Sequence, residues 1–203
     1  MTDEHEHHDH DHDHAHAHEH HEHVPVSYQD AVEGFREDKD DFYRNDPRSP
    51  IPAAEREAFS GLPYFPVNEA LVFESLPLES YSGDQPADFQ IPTSDGQLRP
   101  AHRAGVLRFE IDGVPYQLTG YQFDQGEDRA LFVPFLDATS GTETYGAGRY
   151  LDIDPDLDGT YELDFNLAYH PSCVYDPRFS CPLTPAENRL PIRIEAGERL
   201  PPA

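Results

Sequence analysis

The sequence predicts a mainly β protein, an antiparallel barrel or sandwich that carries an amphipathic helix on its N-terminal side. Three observations predict it. Apolar residues recur at helical spacing early in the chain, between Ser27 and Tyr43. After Gly61 the texture changes to short alternating runs bounded by Gly, Pro and Asp. Asp-Gly pairs at 95–96, 112–113 and 158–159 then supply tight turns between those runs.

The helix is expected over residues 27–43, with Ser27 or Asp30 as its cap and Tyr28, Val32, Phe35 and Phe42 as its apolar side. NDPRSPIP at 45–52 ends it with three prolines, and a short helix is expected from Ala53 to Phe59. Strands are expected at Leu71–Glu74, Asp88–Pro92, Gly105–Ile111 and Val114–Gln122. Four more are expected at Ala130–Leu136, Arg149–Ile153, Tyr161–Leu167 and Arg189–Ile194. The clearest hairpin turns at Asp112-Gly113: Leu107, Phe109 and Ile111 alternate before it, Tyr116 and Leu118 after it. No Gly-rich turn joins a strand to a helix, which argues against a nucleotide-binding βαβ unit, and no repeat is present. The expected organisation is a tail at 1–26, a helical segment at 27–60 packed on the domain, and a β domain at 61–203.

Charge bounds the function classes. Residues 24–203 hold 32 acids against 14 bases, and Lys39 is the chain's single lysine. Acids spread along the whole surface read as adaptation to high salt, which screens their mutual repulsion. A nucleic-acid backbone would be repelled, and no basic stripe offsets that. No apolar run is long enough to span a membrane and no secretory signal is read, so a cytoplasmic location is expected.

Eleven of the 13 histidines lie in the first 23 residues, interleaved with Asp, Glu and Ala. His8, His10, His12, His14, His16, His18 and His20 fall at every second position, about 7 Å apart on one side of an extended chain. Neutral imidazoles in that array suit divalent metal ions, with Zn or Ni as the expected occupants. No cofactor is otherwise required.

Two internal clusters could carry chemistry. In FLDATSGTETYGAGRY (135–150), Asp137, Thr139 and Tyr145 could line a polar mouth in which Arg149 holds a small polar or anionic molecule. The plainer alternative is a loop that caps its own backbone, with Arg149 paired to a structural Asp. In YHPSCVYDPRFSC (169–181), His170, Cys173 and Cys181 place three soft ligands close together, enough for zinc if a fourth arrives. The same cysteines also suit a disulfide or plain packed thiols.

GVLRFEIDG (105–113), FVPFLDATSGTETYGAGRYLD (132–152), LDFNLAYHPSCVYDPRFSCPLTPAENRLPIRIEAGE (163–198) and FREDKDDFYRNDPRSP (35–50) resemble the family of uncharacterised bacterial and archaeal proteins called DUF1684. The resemblance spans roughly residues 27–199 and implies one domain without an established activity. The family's characteristic positions fall on Asp137, Thr139, Tyr145, Arg149, Asp164, Asn166, Cys173, Cys181, Asn188 and Glu198, among others. The family pattern usually carries Asn where this chain has His170, so a zinc site needing His170 is not implied, and the histidine tail is a local addition. Three functions compete. The first is a binding protein using Asp137, Thr139, Tyr145, Arg149, Tyr169 and Asn188, with metal on the tail. The second is a hydrolase with Asp137 or His170 as general base and Arg149 holding the charge. The third is a structural or interaction domain. No feature sets an oligomeric state.

Overall fold

The computed structural model describes residues 26–123 and 130–201. Helix α1 spans Tyr28–Asn45 and begins as its sequence dictates: the Ser27 hydroxyl accepts the Asp30 amide at 3.1 Å. Asp46 closes it, its amide donating to the Phe42 carbonyl before Pro47 forbids another turn. The helix buries Val32 and Tyr43, whereas Phe35 is 44% exposed. Its inward face is therefore rotated from the expected one, because Tyr43 docks edge-on against Tyr175. After it, the expected second helix is reduced to a single 3-10 turn, Arg56–Ala58. There the Arg56 guanidinium donates to the carbonyls of Ile51 and Asp46, tying the proline-rich segment to the turn.

Seven strands follow among the described residues: β1 (Val72–Leu76), β2 (Asp88–Pro92), β3 (Leu98–Ile111), β4 (Val114–Gln122), β5 (Leu131–Phe135), β6 (Arg149–Ile153) and β7 (Tyr161–Asp164). They form an antiparallel five-stranded sheet, ordered β2-β3-β4-β5-β6, and an antiparallel pair, β1-β7. The β3-β4 hairpin turns at Asp112-Gly113, both with positive φ, and pairs Leu107 with Leu118 and Phe109 with Tyr116. Leu107, Leu118, Val133 and Phe135 from the large sheet meet Leu163 and Phe165 from the small sheet and its continuation, all essentially unexposed. That shared core makes the fold sandwich-like.

The barrel alternative is corrected by the strand order. β2 and β6 lie at opposite ends of the large sheet and do not pair, so the sheet does not close. Short bridges shield its two edges instead: Thr93 to Pro182 beyond β2, and Tyr150 to Tyr169 beside β6. The expected strand at 189–194 is also absent. Pro191 interrupts it, and Ile194 gives its amide to the Asp137 carboxylate at 2.7 Å instead of to a ladder. β7 stops at Asp164 because that side chain caps the following 3-10 turn, Phe165–Leu167, by accepting the Asn166 amide. Among the described residues, no helix is long and apolar enough to cross a membrane.

Gly148 enters β6 with φ +105°, and a Cβ there would lie 2.5 Å from the Phe135 carbonyl oxygen and 2.4 Å from Thr184 Oγ1. Gly113 has φ +76° with nothing within 4 Å. Gly148→Ala is expected to cost about 2 kcal/mol or more, against about 1 kcal/mol for Gly113→Ala. Urea unfolding of both variants at one fixed salt concentration measures the difference.

Candidate functional site

The hydroxyl-rich loop after β5 folds onto itself. The Asp137 carboxylate is buried and accepts from the Thr139 amide, the hydroxyls of Thr139 and Ser140, and the Ile194 amide. The Thr139 and Thr144 hydroxyls lie 3.0 Å apart, both unexposed. Arg149 begins β6 and is fully buried. Its Nη atoms donate to the carbonyls of Ile194, Ala196 and Glu198, and Nη2 lies 3.5 Å from Asp137. Burial pulls its pKa down, and the Asp137 and Glu198 charges oppose that pull.

Glu198 is the second centre of this network. Its carboxylate is 1% exposed, pairs with Lys39 Nζ at 2.6 Å, and accepts the His170 amide at 2.7 Å and the Tyr175 hydroxyl at 3.0 Å. His170 Nδ1 faces the same carboxylate at 3.6 Å, and Nε2 accepts the Tyr145 amide. Burial, then the charges of Arg149 and Lys39, depress the His170 pKa to about 3. The imidazole is therefore neutral, its Nε2 lone pair is taken by the Tyr145 amide, and it is poorly placed to act as a general base.

Of the predicted site residues, Asp137, Tyr145, Arg149 and His170 are joined through this network. Asn188 lies elsewhere, stitching β4 to β5 by bonds to Thr119 and the Pro134 carbonyl. Arg149, Thr139 and Asn188 are fully enclosed. Tyr169 alone of the set lines a groove against α1, its hydroxyl donating to Asp152.

The metal expectation is corrected. Among the described residues, no group of three or more His, Cys, Asp or Glu side chains is placed to hold a metal ion. The internal trio fails because the ring nitrogens of His170 face Tyr145 and Glu198, away from the thiols. Cys173 and Cys181 are free, the Cys173 amide donating to Cys181 Sγ at 3.4 Å. Burial pushes the Cys181 thiol up to about 11. The histidines of the tail, His8 to His20, lie outside the described residues, so the zinc, nickel and metal-partner expectations have no site to support them.

A cavity against α1 was not anticipated. A groove of about 790 Å³ runs between α1 and the edge formed by β6, β7 and the segment leading to Tyr169. Phe35 and Phe42 form its helical wall, Leu151, Ile153 and Leu167 its floor. Lys39 reaches across beneath it, 15% exposed, its ammonium 4.7 Å from the Tyr169 ring centre and 5.6 Å from that of Tyr43. Carboxylates make the rim: Asp38, Asp154, Asp156 and Glu162. Desolvation, followed by the charges of Asp164, Glu74 and Asp156, raises the Glu162 pKa. Desolvation also raises Asp152, against the bond from Tyr169. One sequence signal pointed here: two phenylalanines seven residues apart on α1, flanking the chain's single lysine.

A family model described as "Protein of unknown function (DUF1684)" matches residues 57–199. The chain is also similar to a solved structure, the solution NMR structure of the uncharacterized protein from gene locus rrnAC0354 of Haloarcula marismortui. The identity is 37%, over 84% of this chain and 92% of that one, with a TM-score of 0.61. No curated protein matches. A relative from a halophilic archaeon accords with the acid-rich, lysine-poor composition.

Glu198→Gln preserves shape and leaves Lys39 without its counter-charge, so a loss of about 3 to 5 kcal/mol is expected, partly restored by adding Lys39→Met. Chemical unfolding of the single and double variants tests the pair. His170 binds its proton less readily folded than unfolded, so its contribution is intact above pH 6.5 and lost as pH falls toward 3. The loss reaches about 1.4 kcal/mol per pH unit. Relative to the wild type, His170→Asn should flatten thermal stability against pH between 6.5 and 4.

Proposed function

The chain belongs to the DUF1684 family, and from that premise we propose that it is a binding protein whose ligand lies in the groove between α1 and the β6-β7 edge. The groove itself carries this reading: its volume is that of a small-molecule site, and it combines an apolar floor with polar groups at the rim. Phe35 supports it further, as a large aromatic left 44% exposed on a helix whose other outward positions are mostly polar. In this reading the helical segment 27–60 supplies one wall of the site and the β domain 61–203 the other.

The anionic ligand expected at Arg149 has less to stand on, because the Nη donors of that side chain already serve carbonyls and Asp137. The hydrolase alternative weakens for a related reason, since Asp137 and His170 are buried and hydrogen-bonded within the protein. Asp137, Thr139, Tyr145, Arg149 and Asn188 act in this reading as the frame that holds the groove walls. Tyr169 alone of the predicted ligand residues takes part in binding. A cytoplasmic location suits the two free thiols.

The chain has no Trp, so Phe35→Trp places a single reporter on the groove wall and Val114→Trp a control on the β3-β4 hairpin. Titration with phenethylamine, 2-phenylethanol and 3-phenylpropanoate should shift the emission of the first reporter saturably with at least one probe. The control should not respond. Equal response at both positions, or at neither, overturns the groove as a binding site.

A further inference from the structure

We infer that the ligand of the groove is an organic cation, an ammonium group carried on an apolar or aromatic body. This rests on the groove being the binding site and adds the ligand's chemical class. Among the described residues, six acids line the cavity and Lys39 is its single base. That ammonium is already committed inward: it pairs with the buried Glu198 carboxylate at 2.6 Å and lies over the Tyr169 ring. It presents to the groove a hydrocarbon stem whose charge is neutralised from behind.

The acids divide by their partners. Asp152 accepts from the Tyr169 hydroxyl and Asp164 from the Tyr28 hydroxyl, so these two serve the protein. Asp156 lies at the long limit of a bond from Thr160. For Asp38, Asp154 and Glu162 no hydrogen bond or ion pair is found among the described residues. Three uncommitted carboxylates therefore surround an apolar floor, and Phe35 and Phe42 stand on one side of it.

Each part of the ligand follows from that arrangement. An apolar body removes the exposed face of Phe35 and the part-exposed faces of Phe42 and Leu167 from water, worth about 25 cal/mol per Å² buried. A cationic head gains from the carboxylates and from the negative faces of the aromatic rings, which favour soft, weakly hydrated ammonium groups. An anion would meet six acids with no free base, and a neutral ligand would leave their repulsion unrelieved. The raised pKa of Glu162 reflects desolvation first, and then the negative charge of Asp164, Glu74 and Asp156. Simple inorganic cations are served poorly, because no three of these side chains converge on one point.

The test compares three probes that share a ring and chain length: phenethylamine, 2-phenylethanol and 3-phenylpropanoate. Binding to the full chain is followed by ¹⁵N NMR at two salt concentrations, at both of which circular dichroism reports a folded protein. The amine is expected to bind about tenfold more tightly than the alcohol at the lower salt, and the advantage should shrink at the higher. Glu162→Gln with Asp154→Asn should remove most of that advantage and leave the alcohol unchanged. Both positions are exposed, so the fold is not at stake. Phe35→Ala should weaken amine and alcohol alike. If the alcohol or the acid binds as well as the amine, the cationic class is overturned and the groove stands as a site for another ligand. If none of the three binds saturably at the groove, the class and the site fall together.

Discussion

A fully buried guanidinium organises this molecule. Arg149 gives up its hydration at the start of β6, and removing a cation from water is tolerated only where the protein supplies compensating polar groups. Three carbonyls, from Ile194, Ala196 and Glu198, and the Asp137 carboxylate supply them. The alternating carbonyls come from a segment with no strand of its own, so the guanidinium takes the place of a missing ladder. Holding residues 194–198 in this way carries the Glu198 side chain to the point where Lys39, Tyr175 and His170 meet. Helix α1 is thereby anchored to the sheet edge. The groove is the space left between an anchored helix and that edge.

The polar interior also explains why the hydroxyl-rich loop is not a mouth. Each acceptor in it is matched: Asp137 takes two amides and two hydroxyls, and Thr139 and Thr144 face one another. Such a network is costly if half satisfied and rigid if complete. That internal pairing of Asp137, Thr139 and Thr144 turns a segment rich in chemically capable residues into scaffold. The binding surface is left to groups of plainer type, two phenylalanines and a set of rim carboxylates. In an acid-rich protein those carboxylates are easily taken for general surface charge, and only their placement around an apolar floor sets them apart.

Much of the local structure was legible in the residues. Ser27 marks the start of the helix because its hydroxyl reaches the Asp30 amide. Asp112-Gly113 marks the hairpin because both positions adopt left-handed backbone there. The bounds of β2, β4 and β6 are those expected from the residues. Errors arose where a side chain captured a backbone amide: Asp164 shortened β7, and Asp137 with Pro191 replaced the last expected strand. The helix face was misplaced because periodicity weighs Phe35 and Tyr43 alike. The partner that separates them, Tyr175, is far away in sequence.

The sequence by itself determined the family, the antiparallel β character with its leading helix, and the salt-adapted surface. These rest on short-range chemistry: caps, turns, alternation and composition. Tertiary structure decided that the large sheet stays open and that Arg149 is a structural cation. It also decided that the lone lysine meets Glu198 below a groove walled by α1. Those outcomes depend on which distant groups share a desolvated space, and neither spacing nor residue type encodes that until the chain has closed on itself.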